Sequence, residues 1–204
     1  MYLTRLSLNL RSRDVRRDLG DTYEMHRTLV RAFVTRDTDT PPRILWRLEP
    51  ERLNRTPRLL VSSEVKGNWR VLKALPGYLE DCQEKQWEPD HWLQGLEKAR
   101  FRLFANPTTT KNGKRYGLMG VEAQKAWLIH QGKRHGFEVD PSQFMVTGNN
   151  RLQIEKDPKL RILKVQYEGV LRITDADALG RALQAGIGKA KGFGCGLLSL
   201  ARLE

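Results

Sequence analysis

The alternation of apolar and polar residues in the first part of the chain predicts a small α/β unit. Four stretches have the length and alternation of strands: 2–10, 43–50, 58–65 and 77–87. Apolar residues at helical spacing predict a helix over 21–33, and a short helix or turn is expected at 69–75. The predicted order is βαββαβ, which is the ferredoxin-like or RRM-like unit.

The second part of the chain repeats the same order of elements. Strand patterns occur at 99–107, 144–156, 160–174 and 194–203. Helices are predicted over 120–136 and from Asp175 onward, and a turn at Asp157–Pro158 joins the second and third strands. The fold class is therefore α+β, with two tandem ferredoxin-like (RRM-like) βαββαβ domains. The expected boundaries are 1–90 and 97–204.

Two details of the second domain follow from the same patterns. In the helix over 120–136, Ala123, Ala126, Trp127 and the pair Ile129/His130 are expected near one face. The stretch NPTTTKNGKRYG, 106–117, is polar, basic and glycine-bearing, so it is expected to be a flexible basic loop.

The charge balance adds a partner class to this fold. The 204 residues include 36 Lys and Arg against 24 Asp and Glu, giving a net charge of +12 and a pI near 10.0. Such an excess favours a polyanionic partner, nucleic acid first and an anionic membrane surface second. The sequence lacks an apolar run of about 20 residues, a signal-peptide pattern and a basic amphipathic helix with large aromatic residues. We therefore expect no membrane partner.

Cysteine usage indicates the compartment. The only two cysteines, Cys82 and Cys195, are far apart in sequence and form no CxxC pair. Neither a disulfide framework nor a zinc site is expected, so a reducing cytoplasm is the simplest location.

The helix over 21–33 carries the most suggestive chemistry. Asp21 and Glu24 match a capping box, so the helix should begin at Asp21. Its core face is predicted from the residues that share one stripe: Met25, Leu29, Ala32 and Phe33.

One edge of this helix gathers four functional side chains. Tyr23 and His26 lie roughly 60° apart around the axis, and Arg27 and Arg31 continue the edge at intervals of four residues. One interpretation is a boundary Tyr and His that half-bury their rings. The functional alternative is that a helix N-terminus attracts phosphate, keeps the imidazole neutral and places guanidinium groups beside it.

The C-terminal stretch GIGKAKGFGCG, 186–196, holds five glycines and two lysines. It is neither a Walker loop nor a dinucleotide fingerprint. KGFG matches the first half of the RRM signature, but Cys195 and Gly196 stand where Phe and Val are required. Backbone without side chains can approach a phosphate closely and offer its N–H groups as a nest-like site. The candidate residues for this contact are Lys189, Lys191, Gly192 and Gly194. A helix C-cap followed by a bulged turn is the structural alternative.

Several separated stretches together resemble one known family. They are YEMH early on the first helix, FRLFANP, AWL, VQYEGVLRITDADAL and the C-terminal GIGKAKGFGCGLLSLARL. In this order they resemble CasE, the CRISPR repeat-RNA endoribonuclease of the type I-E Cascade complex. The resemblance covers nearly the whole chain, and the glycine block is its most specific part.

The resemblance implies an activity and a set of residues. It implies tandem ferredoxin-like domains and metal-independent cleavage, without a cofactor, of precursor CRISPR RNA at the 3′ base of the repeat stem. The catalytic Tyr–His pair falls on Tyr23 and His26, and helix-one basic residues fall on Arg27 and Arg31. A basic hairpin that grips the stem falls within 151–161, where the candidates are Lys156, Lys159 and Arg161. Retention of the product for assembly with other Cascade subunits is implied as well.

The chemistry agrees with such an edge. RNA carries its own nucleophile, the 2′-OH beside the scissile phosphate, and attack yields a 2′,3′-cyclic phosphate. His26 can serve as base, as acid to the leaving 5′-oxygen or as a positioning group, and Tyr23 can orient the 2′-OH or share in proton transfer. Arg27 and Arg31 would offset charge in the transition state. The alternative function is a non-catalytic RRM-like RNA-binding protein.

Overall fold

The computed structural model describes residues 1–36, 38–49, 56–154 and 157–203, without the side chains of residues 149–151, 153–154 and 157–161. The chain forms two compact units. The first unit contains Met1–Trp87 together with the short segment Gly192–Gly194, and the second contains Glu88–Lys191 and Cys195–Glu204. The domain boundaries expected from the sequence, 1–90 and 97–204, stay a prediction.

The first unit has a four-stranded antiparallel sheet. Its elements are β1 (Tyr2–Leu8), α1 (Arg13–Gly20), α2 (Thr22–Val30), β2 (Ile44–Leu48), β3 (Arg58–Ser63), α3 (Arg70–Lys73) and β4 (Leu79–Gln86). The strand order β2-β3-β1-β4 places the first and third strands at the centre. This is the order that a βαββαβ chain adopts in a ferredoxin-like sheet.

The core of this unit lies between one sheet face and the helices. Leu6 and Leu8 of β1 are fully buried, and Met25 and Leu29 of α2 pack in the same cluster. Burying each such side chain contributes roughly 1.5–3 kcal/mol. The predicted core face of α2 is confirmed, because Ala32 is buried as well. This packing fixes how α2 is rotated about its axis.

The helix α1 is absent from the sequence-based prediction. Its sequence, RDVRRDLG, has only two apolar residues, Val15 and Leu19, and its eight residues are fewer than the roughly 11–18 over which helical periodicity is usually recognised. The structure buries Val15 together with the carboxylate of Asp18. A polar residue at a core position hides the pattern on which the prediction depends.

The second unit repeats the architecture with one addition. Its elements are α4 (Pro89–Leu93), β5 (Lys98–Ala105), β6 (Thr108–Lys111), β7 (Lys114–Gly117), α5 (Val121–Arg134), β8 (Phe137–Ile154), β9 (Asp157–Ile173), α6 (Ala176–Ala185) and β10 (Leu198–Ala201). The main sheet has the order β10-β5-β9-β8, again antiparallel. The predicted fold class, two tandem ferredoxin-like βαββαβ domains, is confirmed.

The stretch 106–117 is not the flexible loop that its composition predicts. It forms the antiparallel hairpin of β6 and β7, which pair from Thr108↔Gly117 to Lys111↔Lys114. Asn112 and Gly113 connect the strands with φ of 51° and 72°. Asn-Gly is the preferred pair for a two-residue turn with positive φ at both positions, so this dipeptide was the overlooked signal.

The side of α5 that packs in the core is not the side that carries Ala123 and Ala126. Ala123 and Ala126 are exposed, whereas Gln124 and Leu128 are fully buried. The Gln124 side-chain amide donates to the Leu118 carbonyl at 2.7 Å, which lets a polar residue occupy a core position. Trp127 is half-buried, and its ring stacks on Tyr167.

The connection between β8 and β9 also differs in position from the prediction. Asp157 and Pro158, expected in the turn, belong to β9, and Asp157 pairs with Ile154 of β8. The register shifts between Gln153 and Ile154. Proline has no N–H for a regular ladder, which fits its place beside this irregularity.

Candidate active site

The N-terminus of α2 is built by local hydrogen bonding. The Asp21 side chain accepts a hydrogen bond from the Tyr23 backbone N–H at 2.8 Å, so Asp21 is the N-cap as predicted. The second half of the predicted capping box differs. The Asp21 backbone N–H donates to the Arg17 carbonyl, and Glu24 instead accepts from Arg27.

A groove of about 600 Å³ runs along the exposed edge of α2. Tyr23, His26, Arg27 and Arg31, the four residues predicted on that edge, all line it. The groove therefore brings together a phenol, an imidazole and two guanidinium groups on one surface. These four predicted site residues lie together on one helix.

The imidazole of His26 is held with its two nitrogens in different surroundings. Nδ1 is buried and has no hydrogen-bond partner among the described residues. Burial lowers the pKa of His26 below its ordinary value of 6.5. The ring is therefore neutral at pH 7, and Nε2 is the nitrogen that a bound substrate can reach.

The two arginines of the edge differ in their partners. The Arg27 Nη1 atom forms an ion pair with the Glu24 carboxylate at 2.9 Å, three residues earlier on the helix. Arg31 is the C-cap residue of α2 and is exposed, with no side-chain partner in the described part of the chain. The guanidinium of Arg31 is thus available to a ligand. Arg27 can bind a ligand only if its guanidinium also contacts the ligand or leaves the Glu24 carboxylate.

A third arginine of the groove was missed in the sequence. Arg17 lies on α1 and lines the same surface as Tyr23 and His26. Because α1 is a separate and short helix, the spacing of residues along the chain did not place Arg17 beside the α2 edge. The arginine-rich run RSRDVRRD was the only available hint.

The predicted glycine and lysine residues of the C-terminal stretch have separate environments. In the first unit, Gly192 lies against the His26 ring and Gly194 against the Trp46 indole. In the second unit, Lys189 is exposed, and the Lys191 Nζ donates to the Ala185 carbonyl at 2.6 Å near the end of α6.

A helix C-cap followed by a bulged turn, the structural alternative, explains some of the glycines in this stretch. Gly186 is the C-cap of α6 with φ of 74°, which glycine adopts readily. Gly194 has φ of 74° as well, and a Cβ there would stand 2.9 Å from the Trp46 ring. The backbone conformation of Gly192 does not require glycine. Its contact with His26 therefore calls for a functional explanation.

The remaining basic candidates fall within the sequence range 151–161. Lys156 lies outside the described residues. The backbones of Lys159 and Arg161 are part of β9, but their side chains are outside the description. Their predicted contacts with RNA stay predictions.

The described part of the chain offers neither a cluster of metal ligands nor a membrane-spanning helix. It contains no group of three or more His, Cys, Asp or Glu side chains arranged to hold a metal ion. None of its helices has the length and apolar character needed to cross a membrane.

The fold and the groove define the class of protein. It is a strongly basic α+β protein of two ferredoxin-like units, with a Tyr–His pair on one helix edge. The family model described as "CRISPR associated protein" matches residues 1–202, and the chain belongs to this family. This confirms the family resemblance inferred from the sequence.

Named relatives and a solved structure agree with the assignment. The chain is 34% identical to the CRISPR-associated endoribonuclease Cse3 of Thermus thermophilus, over 98% of this chain and 100% of that protein. It is 31% identical to the CRISPR system Cascade subunit CasE of Escherichia coli, over 90% and 93% of the two chains. A structure of the CRISPR endoribonuclease Cse3 bound to 19 nt RNA matches with a TM-score of 0.88 and 34% identity, covering 99% and 100%.

Proposed function

We propose that this chain is an endoribonuclease that binds the stem-loop of CRISPR repeat RNA and cleaves precursor CRISPR RNA at the 3′ base of the stem. The observation that carries the proposal is the shared groove of Tyr23 and His26 with arginine side chains. A non-catalytic RNA-binding protein would need the cations, but it would not need a half-buried imidazole beside a phenol.

The geometry supports a transesterification in which the RNA supplies the nucleophile. The 2′-OH attacks the adjacent phosphate, the bond to the 5′-oxygen breaks, and a 2′,3′-cyclic phosphate and a 5′-hydroxyl result. The neutral His26 ring takes the 2′-OH proton through Nε2, because burial disfavours the imidazolium form before substrate binds. The leaving 5′-oxygen takes a proton from solvent water, and the imidazolium then returns its proton to solvent. Tyr23, three residues earlier on the same helix, orients the reacting ribose.

The arginines stabilise the charge that develops on the phosphate. Arg31 provides an exposed guanidinium at the end of α2, and Arg27 provides a second one when Glu24 releases it. Guanidinium groups bind phosphate oxygens with two parallel hydrogen bonds. Removing one such electrostatic donor from an active site typically costs about 100-fold or more in rate.

The rest of the proposal concerns the RNA and the assembly. The basic segment 151–161, with Lys156, Lys159 and Arg161, grips the repeat stem, and Lys189, Lys191, Gly192 and Gly194 approach the RNA backbone. The protein joins a Cascade complex, a partner suggested by the name of the Escherichia coli relative. It keeps its product bound there, in the cytoplasm. The reaction uses neither a metal ion nor a cofactor.

A two-part cleavage assay tests the proposal. The repeat stem-loop RNA is incubated with the protein in excess EDTA, and a second RNA carries one deoxyribose just 5′ of the scissile phosphate. We expect full cleavage of the first RNA, and binding without cleavage of the second. Cutting of the deoxy RNA, or a requirement for added magnesium, would contradict attack by the 2′-OH.

A further inference from the structure

The guanidinium of Arg17 is fixed in place although half of its side chain is exposed. Its Nε donates to Asp18 Oδ1 at 2.8 Å, and its Nη2 lies 2.7 Å from the same oxygen. Its Nη1 donates to Asp14 Oδ1 at 3.1 Å. A long exposed side chain usually samples many rotamers, so these contacts restrict Arg17 to one direction at the groove.

The orienting carboxylate is itself held from inside the core. Asp18 is only 1% exposed, and its Oδ2 accepts a hydrogen bond of 2.6 Å from the Tyr78 hydroxyl. Burial and the bond to Asp18 raise the pKa of Tyr78, so its hydroxyl keeps the proton that it donates. Tyr78, Asp18 and Arg17 form a continuous chain of hydrogen bonds from the core to the groove.

Arg17 retains hydrogen-bonding capacity for a ligand. Two of the five N–H groups of its guanidinium, one on Nη1 and one on Nη2, have no partner among the described residues. The groove that Arg17 lines also holds Tyr23 and His26. The group that such a fork matches best is a phosphate of the RNA backbone.

We propose that Arg17 is a further phosphate-binding residue of the groove, and that Tyr78 positions it through Asp18. The inference rests on the proposed function, since the phosphate is that of the bound RNA. Arg17 approaches the groove from α1, whereas Arg27 and Arg31 belong to α2. It therefore holds the RNA backbone from a second helix and fixes the phosphate relative to His26.

The neighbouring Arg16 provides a matched control. It is also an exposed arginine of α1, but its Nη1 donates to the carbonyls of Leu10 and Arg11, both at 2.8 Å, and it does not line the groove. Arg17→Ala and Arg16→Ala remove the same charge from adjacent positions. Any difference between them reflects the placement of the guanidinium and not the net charge.

Two measurements separate a phosphate contact from a structural role. Binding of the deoxy stem-loop RNA is measured between 50 and 300 mM salt, on the order of the range where counterion release dominates. Loss of one phosphate contact should reduce the slope of log K against log salt by about 0.7–0.9 in Arg17→Ala. The single-turnover cleavage rate should fall about tenfold to a hundredfold. Arg16→Ala should leave the slope unchanged and the cleavage rate within about twofold of that of the unmodified protein.

Conservative variants test the positioning. Arg17→Lys should recover the salt slope but only part of the rate, because an ammonium group cannot make the two-pronged contact. Tyr78→Phe should keep the slope and lower the rate, since the charge remains but its orientation is lost. Arg17→Gln, which keeps donors for Asp18, replaces Arg17→Ala if the alanine variant unfolds in a thermal melt.

The outcomes also separate this inference from the endoribonuclease assignment. If the unmodified protein cuts the RNA and the Arg17 variants keep its slope and rate, Arg17 only balances Asp18 and the inference is wrong. If the unmodified protein binds without cutting while the slope depends on Arg17, the phosphate contact stands and the endoribonuclease assignment fails. Absence of binding by the unmodified protein would overturn both.

Discussion

Gly192 lies against the imidazole of His26, so that a Cβ built on Gly192 would stand 3.4 Å from both Cδ2 and Nε2. Both residues belong to the first compact unit. Because Nδ1 of His26 is buried, Nε2 is the atom through which the ring can exchange a proton with a substrate. The glycine-rich stretch therefore contributes to the site by leaving space beside this nitrogen, where a methyl group on residue 192 would already be in van der Waals contact with the ring.

The Gly192→Ala variant should lose cleavage while it keeps its fold. The backbone of Gly192 is not in the left-handed region, so alanine fits the conformation, but its methyl group would contact His26 Nε2. A misplacement of about 1 Å at a reacting group can cost on the order of 100-fold in rate. Single-turnover cleavage and RNA affinity are measured together, and we expect a slower rate with an affinity near that of the unmodified protein.

Gly20→Ala is the control for this variant. A Cβ on Gly20, at the end of α1, would meet no atom within 4 Å. It should cut RNA at the normal rate. An equal rate for Gly192→Ala would show that the contact with His26 has no part in the reaction.

Gly194→Ala should instead reduce stability. Gly194 has φ of 74°, and a Cβ would stand 2.9 Å from the Trp46 ring, which is buried in the core. The left-handed conformation and the overpacked indole each cost about 1–2 kcal/mol. Urea denaturation should show a lower free energy of unfolding than for Gly192→Ala. Equal stability of the two variants would contradict the packing role assigned to Gly194.

The architecture could be predicted because its signals are local. The strands alternate along the chain, and the helix α2 has an apolar stripe and an N-cap at Asp21, so the order βαββαβ followed in both halves. The helix α1 was not predicted, because a buried carboxylate, that of Asp18, occupies a core position where an apolar residue is expected. The core position of Gln124 on α5 is hidden for the same reason, since its side chain is polar yet buried, with the amide N–H bonded to the Leu118 carbonyl. Periodicity cannot reveal a core position that a polar side chain occupies.

The site was predictable only where it lies on one element. Tyr23, His26, Arg27 and Arg31 share an edge of a single helix, so spacing alone brought them together. Arg17 comes from another helix, and the approach of Gly192 to His26 joins residues that are 166 positions apart in the sequence. Such proximity depends on tertiary packing, which the order of elements does not specify.

Substitution of the Tyr–His pair should separate cleavage from binding. His26→Ala should reduce the cleavage rate about 100- to 10,000-fold, the usual loss for a general acid or base. RNA affinity should change little, because it comes from many phosphate contacts of a chain with net charge +12. Tyr23→Phe should have a smaller effect, since the ring keeps its packing. Cleavage by His26→Ala at the normal rate would exclude His26 from the reaction.

The pH dependence of cleavage identifies the role of His26. Burial lowers the pKa of its imidazole below 6.5, so the ring in the free protein is neutral at and above that pH. A general base must be neutral, and the second-order rate constant at low enzyme concentration reports the free protein. We therefore expect this rate constant to be flat above pH 6.5 and to fall as the pH drops through the lowered pKa.

The opposite profile would assign the opposite role. A general acid must carry its proton, so a rate constant that falls about tenfold per pH unit above pH 6.5 would make His26 the donor to the leaving 5′-oxygen. Binding of the deoxy RNA, measured at the same pH values, corrects for changes in affinity. A profile that stays flat through the pKa of His26, itself measured by NMR titration of the free protein, with unchanged binding, would leave His26 as a positioning group whose titration the reaction does not sense.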